Sequence, residues 1–316
     1  MNSRMLDLNT LSLPDLYEEL TRSGLAHRLF SLARDEDLVC YATGVETDLT
    51  SELYIDEDSE TTAMLRSRGA GVVAGLAAAP ELLSVFTTEC EFLGIASDGD
   101  TIEAGAALGE VSGPTRQVLR TERALLNLVS RLSGVATFTN RFVRAIEATG
   151  ADAMLYDTRK TTPGLRILEK YAVRCGGGMC HRIGLHDAVM IKDNHLAGVE
   201  LEGLADRIAA AARRALDAEG GVRFVEVEVD SLAQFEQVLR VEAELIDIVM
   251  LDNMAPDSMR EAVRLRDEAG SEIQLEASGG VTLESVDTIA KTGVDRISVG
   301  SITQSAPALD IGLDIE

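Results

Sequence analysis

From residue 153 to residue 299 the chain alternates short apolar, β-rich runs with helical stretches, and this alternation limits the folds open to it. The runs fall at about 153–156, 188–191, 224–229, 246–251, 273–277 and 295–299; helical spacing marks 164–174, 201–217, 231–240, 256–268 and 283–291. Strands separated by helices pair in parallel through right-handed crossovers. Such units build a barrel or a doubly wound sheet, and the polar residues choose between them. The runs end in Asp157-Thr158-Arg159-Lys160, Lys192-Asp193-Asn194, Glu228, Asp252-Asn253, Ser278-Gly279-Gly280 and Gly300-Ser301. In a barrel all these strand ends converge on one mouth, where chemistry takes place. In an open sheet only the strands at the switch point would need them. A barrel is therefore expected.

Before this region the pattern is less regular. A helix is expected over 14–34, then two or three strands within Thr87–Val111, with turns at Asp98-Gly99-Asp100 and Gly105. Val118, Leu119, Leu125, Leu126 and Val129 predict an amphipathic helix over 114–132; Gly134 interrupts it, and a second helix over 136–149 ends at Gly150. The turn at 98–105 is similar to that of biotinyl- and lipoyl-carrier domains. Those carriers need a modified lysine, and no lysine precedes Lys160, so a carrier function is excluded.

The charge is unevenly distributed. The formal net charge is −24, yet residues 159–195 hold seven Lys/Arg against three acids. Three of the four lysines (160, 170, 192) and three of the four histidines (181, 186, 195) lie there. A basic, glycine-rich island in an acidic protein suggests a pocket for a small, multiply charged anion. Arg159, Lys160, Arg182 and Lys192 could cradle carboxylates and phosphates, and Gly176–Gly178 could let backbone N–H groups approach an anion. The overall acidity and an aromatic content of 4% argue against a nucleic-acid partner. No apolar run reaches membrane-spanning length. Four cysteines without a CxxC pair, and no secretory leader, predict a reducing, cytoplasmic setting. Cys175, Cys180, His181 and His186 do not match the spacing of a structural zinc site. Glu228 and Asp252, at the ends of neighbouring runs, suit Mg²⁺ near a phosphate-bearing substrate. The last two strand ends, Ser278–Gly280 and Val299–Ser301, are where barrels often bind phosphate.

With these residues in place, the chain resembles the quinolinate phosphoribosyltransferase family, also called carboxylating nicotinate-nucleotide pyrophosphorylases. DTRKTTPG, KYAVRCGGGMCHR and IKDNH carry the resemblance most specifically, and VEVEVDS, MLDNM, EASGGV and ISVGSIT follow in family order. Asp48-Leu49-Thr50-Ser51 is similar to an N-terminal family element, with Thr47 in place of its glycine. The helix from Gly113 to Thr137 looks like the family's central helix. Gln304 stands where the family often has His, and Cys180 where it often has Asn.

The resemblance implies an α/β sandwich domain over residues 1–134 and an open six- or seven-stranded α/β barrel over 135–316, with phosphate-binding loops at the C-terminal strand ends. The last residues either pack back on the first domain or form only an acidic tail. It implies a homodimer, Mg²⁺, and conversion of quinolinate and phosphoribosyl pyrophosphate into nicotinate mononucleotide, pyrophosphate and CO₂. By matching position, Arg159, His181, Arg182 and Lys192 would hold the two quinolinate carboxylates. Lys160, with Thr161 beside it, would stand where the two substrates meet, and Arg123 would enter from the other subunit. Glu228 and Asp252 would face the ribose hydroxyls and Mg²⁺, while Ser278, Gly279, Gly280, Val299, Gly300 and Ser301 would bind the 5′-phosphate. Competing readings are a related phosphoribosyltransferase for another aromatic acid, a non-catalytic regulator on the same barrel, and an aldolase forming a Schiff base at Lys192.

Overall fold

In the computed structural model, which describes residues 5–218 and 221–315, the chain forms two units, each discontinuous in sequence. One consists of Leu11–Asn140, Thr161–Gly177 and the chain from Ile302 on; the other consists of the segment ending at Thr10, Arg141–Lys160 and Gly178–Ser301.

The first unit is built on β1 (Glu60–Ser67), β2 (Gly71–Val72), β3 (Glu91–Gly94), β4 (Thr101–Ile102) and β5 (Ala107–Pro114). β1 and β3 both pair antiparallel with β5, and β2 pairs with β4. Along β1, Ala63, Leu65 and Ser67 are buried and the residues between them are not, the period-two pattern of a sheet with one face on a core. The Asp98 turn forms as expected. Gly99 has φ 95°, and the Asp98 carboxylate accepts the N–H groups of Leu76 (2.9 Å) and Ala77 (3.1 Å) and the Tyr171 hydroxyl (2.9 Å).

Two helical expectations need correction. The segment expected as one helix over 14–34 is two, Leu13–Thr21 and Leu25–Leu38. The apolar pattern runs through the break, but Gly24 at φ 70° turns the backbone left-handed. Conversely, Gly134 does not interrupt anything: Thr115–Glu147 is one helix of 33 residues. A Cβ on Gly134 would run into the Pro307 carbonyl and come 2.8 Å from Ala308 Cα. The glycine admits a crossing backbone stretch, which is further tied to the helix by a bond from Leu309 N to Ser130 O (3.0 Å). Asp48 has a local role: it caps the helix Leu49–Tyr54 by accepting the Ser51 N–H.

The second unit holds β6 (Met154–Tyr156), β7 (Val189–Ile191), β8 (Val225–Val229), β9 (Ile248–Asp252), β10 (Gln274–Ser278) and β11 (Arg296–Ser298). Each lies within a residue or two of its expected position. All pair in parallel, in the order β6-β11-β10-β9-β8-β7. This is the cyclic order of an α/β barrel with one seam left open, between β6 and β7. The crossover after β6 carries the helix Arg166–Cys175, whose residues belong to the other unit. A single parallel bridge from Tyr156 to Met179 lines the β6 side of the seam. Val225, Val227, Val249, Leu251, Leu275 and Ile297 are fully buried on one face of the strands. The alternate positions carry Glu226, Glu228, Asp252, Glu276, Ser278, Arg296 and Ser298. The strands thus bury apolar residues on one face and bring polar chemistry to the other.

Ile311–Ile315 is β12, antiparallel to β1 at the edge of the first unit's sheet. The acidic ending is a strand, and Arg68 donates to Asp314.

Replacing Gly134 with Ala tests the crossing. Helix propensity alone would favour Ala by about 1 kcal/mol. Overpacking against Pro307 and Ala308 is expected to outweigh it, with a net loss of about 1–3 kcal/mol in urea unfolding. A more stable variant would contradict the close approach.

Candidate active site

The C-terminal strand ends of the barrel unit gather most of the residues singled out above. After β6, the Lys160 N–H bonds to Thr158 Oγ1 (3.0 Å), and the Lys160 stem lies against Gly300, where a Cβ would come within 2.8 Å of Lys160 Cδ. Gly300 therefore makes room for the lysine. Lys192, just past β7, forms an ion pair with Glu228 of β8, and that carboxylate is largely buried. Asp252, at the end of β9, accepts the Asn253 side-chain amide at 2.7 Å.

Asn253 is, among the described residues, the non-glycine position with positive φ (54°). Its N–H bonds to Ser278 O at 2.9 Å, and beside it Gly279 and Gly280 have φ of 97° and 61°. A Cβ on Gly279 would lie 2.9 Å from Asn253 N. Asn253, left-handed without being glycine, is the strained position, of the kind that accompanies ligand loops, whereas Gly279 and Gly280 take this region at no steric cost.

His181 and Arg182 follow the Met179 bridge and are both buried. Their loop is held from several directions. Asn9 accepts the Cys180 N–H (2.7 Å) and donates to its carbonyl (3.0 Å), and Asp157 accepts the His181 N–H (2.9 Å). Asp187 accepts the N–H groups of Ile183 and Gly184, both at 2.8 Å, and pairs with Arg223 at 3.3 Å. Burial opposes the Asp187 charge, but these donors and Arg223 hold its carboxyl below the usual range. Burial, and then the like charge of Arg159, lower the Arg182 guanidinium below its ordinary value. Two guanidinium groups kept close enough to oppose one another are a receptor for an anion of more than one charge.

Arg123 and Thr161 belong to the sandwich unit. The Arg123 side chain is exposed beside Glu122, and Thr161 Oγ1 accepts from Arg166 Nε at 3.0 Å. Cys175 and Cys180 fall in different units, and both are free thiols.

Several residues of the site were not anticipated from sequence: Asn9, Asp187, Glu226, Glu276 and Arg296. Asn9 and Asp187 leave no mark in a local pattern, because their partners are backbone groups of a distant loop or of a turn. The other signal was present in VEVEV, QLEAS and RIS, where charged residues interrupt buried strands at alternate positions.

The fold and mouth define a barrel enzyme that handles small, multiply charged anions. Residues 48–133 match the N-terminal domain of quinolinate phosphoribosyl transferase and residues 135–314 its C-terminal domain; the chain belongs to this family. It is 40% identical over 268 residues to a probable carboxylating nicotinate-nucleotide pyrophosphorylase of Bacillus subtilis, covering 85% of this chain and 88% of that one. It is 42% identical over 270 residues to the carboxylating enzyme of Mycobacterium leprae, covering 85% and 91%. The solved nicotinate-nucleotide pyrophosphorylase of Francisella tularensis superposes with a TM-score of 0.82 at 36% identity, over 99% of this chain and all of that one.

Proposed function

We propose that the chain is a carboxylating nicotinate-nucleotide pyrophosphorylase: it joins quinolinate to the ribose of phosphoribosyl pyrophosphate and releases pyrophosphate and CO₂. The observation that carries this reading is the buried Arg182, opposed by the like charge of the half-buried Arg159 and close to the Glu228 that pairs with Lys192. A ring with two adjacent carboxylates satisfies such a cationic set, whereas an acid with one carboxylate leaves part of it unmatched. In our reading Arg159, Arg182 and Lys192 bind the quinolinate carboxylates, with His181 behind Arg182, and Lys160 with Thr161 stands where the two substrates meet. Ser278–Gly280 and Val299–Ser301 cradle the 5′-phosphate.

The chemistry follows from charge. The quinolinate nitrogen attacks the anomeric carbon as the bond to pyrophosphate breaks, through an oxocarbenium-like state with inversion. The protein contributes positioning and fixed charge. Glu228 and Asp252 face the developing positive charge on the ribose. Once alkylated, the ring nitrogen is cationic; the bond to the neighbouring carboxylate breaks, CO₂ leaves, and the electron pair stays on the ring carbon as an ylide until a proton arrives. No carbonyl cofactor is needed. Glu228 and Asp252 are hard oxygen donors on neighbouring strands, neither fully buried, and so fit Mg²⁺ bound in part through water. When bound, Mg²⁺ would neutralise the leaving pyrophosphate.

We further read the family matches at 48–133 and 135–314 as support for a domain division at 134/135. The exposed Arg123 supports a homodimer in which it serves the partner's site. Among the described residues no helix is long and apolar enough to cross a membrane. From the free thiols of Cys40, Cys90, Cys175 and Cys180 we read the protein as cytoplasmic.

Replacing Arg182 with Ala removes a charge-assisted bond. The quinolinate KM is expected to rise about 10- to 150-fold, the equivalent of about 1.5–3 kcal/mol; an unchanged value would remove Arg182 from the pocket. Arg123→Ala and Lys160→Ala chains, each inactive alone, are expected to recover activity when mixed as heterodimers. Verified heterodimers without activity would rule out sharing of Arg123.

A further inference from the structure

Four ionisable side chains are buried together on the polar face of the barrel strands: His181, Glu226, Glu276 and Arg296, none more than 6% exposed. His181 Nε2 lies 3.2 Å from a Glu226 oxygen and 3.4 Å from a Glu276 oxygen. The other Glu276 oxygen accepts Arg296 Nε at 2.8 Å, and the guanidinium stacks 3.6 Å from the Tyr156 ring centroid. Tyr156 and Phe224 meet the imidazole edge-on, with centroids 6.3 and 5.2 Å away. On its other side, His181 Nδ1 accepts the backbone N–H of Arg182 at 2.8 Å.

A nitrogen that accepts a hydrogen bond carries no proton, so the ring proton resides on Nε2, facing the two carboxylates. This argues against a metal at the same three residues, although their ligand atoms lie within 4.8 Å of one another. A bound metal would take the Nε2 lone pair and send the proton to Nδ1, against the Arg182 N–H. Burial draws the imidazole down and Glu276 and Glu226 draw it up, but a second ring proton would sit on Nδ1, against the Arg182 N–H. Burial works against Glu276 too, yet His181 and Arg296 lower it to about 2, whereas burial raises Glu226. With Nδ1 engaged by a donor, Nε2–H faces both carboxylates, while Arg296 pairs with Glu276. Further charged groups near the ring are Asp157 on its backbone N–H, Arg223 on its carbonyl (3.3 Å), and Arg182 with Arg159 beyond.

We propose that Glu226 and Glu276 are positioning residues: they fix the Nε2–H tautomer and the plane of His181, whose Nδ1 then anchors the Arg182 amide and sets the Arg182 guanidinium for the substrate. His181 acts through Arg182, since both of its ring nitrogens are turned to groups of the protein. The proposal rests on the reading of Arg182 as a quinolinate ligand.

The test is ¹⁵N-histidine NMR of the substrate-free protein near neutral pH, with the His181 signals assigned through His181→Gln. The expected spectrum shows a neutral ring with Nε2 protonated and Nδ1 bare; an imidazolium or an Nδ1–H ring overturns the proposal. Glu276→Gln is expected to disturb that tautomer and raise the quinolinate KM roughly tenfold or more, with much smaller changes in kcat and in the KM for phosphoribosyl pyrophosphate. Glu226→Gln leaves the Glu276–Arg296 pair intact and keeps an oxygen able to accept the Nε2–H, so it is expected to keep the tautomer and raise the quinolinate KM less. A folded Glu276→Gln enzyme with unchanged quinolinate KM also overturns the proposal. Should that variant fail to fold, the wild-type and Glu226→Gln spectra decide. The spectrum needs no substrate, so a protein that shows the expected tautomer but does not turn over quinolinate would refute the assigned reaction and leave the His181 clamp standing.

Discussion

The barrel depends on a buried layer of charge. Arg296 and Glu276 sit on adjacent strands in direct register, with His181 and Glu226 against them. Four such groups out of water are costly singly and tolerable only as a set. Removing one partner of a buried pair costs about 3–5 kcal/mol, whereas replacing the whole set by well-packed apolar residues is often neutral or better. Stability therefore does not explain the layer. Its geometry does: it holds an imidazole whose other nitrogen carries the Arg182 backbone, and the guanidinium of that residue faces a like charge at the mouth.

The strands make this arrangement possible by separating two tasks. Valines, leucines and isoleucines at one set of alternate positions pack away from water, and the other set is free for chemistry. At the C-terminal ends, left-handed turns at Asn253, Gly279 and Gly280 shape the rim. The unpaired seam between β6 and β7 leaves room for the Met179–Arg182 stretch to enter beside β6, tied down by Asn9, Asp157 and Asp187. The mouth is cationic while the chain as a whole is strongly acidic, so local charge, not net charge, decides what the site attracts.

Much of this was legible in the sequence, for physical reasons. The six barrel strands announced themselves because each is a short apolar run bounded by helix, and their functional ends because barrel chemistry gathers there. β1 and β12 were harder to see: they pair across nearly the whole chain, and β12 looks like an acidic tail until Arg68 and β1 are seen beside it. Gly134 misled for a related reason, since a glycine that admits a crossing backbone resembles one that ends a helix. The basic island points to an anion site, and the structure sets Arg182 near Arg159 and near the Glu228 that pairs with Lys192. The layer beneath it was hidden because Glu226 and Glu276 resemble polar positions of half-exposed strands, and only burial shows that they are not.

The central claim is a reaction, and its most direct measurement is CO₂ release from carboxyl-labelled quinolinate by the purified protein, with nicotinate mononucleotide followed in parallel. The account expects release only when phosphoribosyl pyrophosphate and Mg²⁺ are both present, in step with mononucleotide formation. Absence of release across a range of salt concentrations, with turnover of another aromatic acid on the same donor, would contradict it.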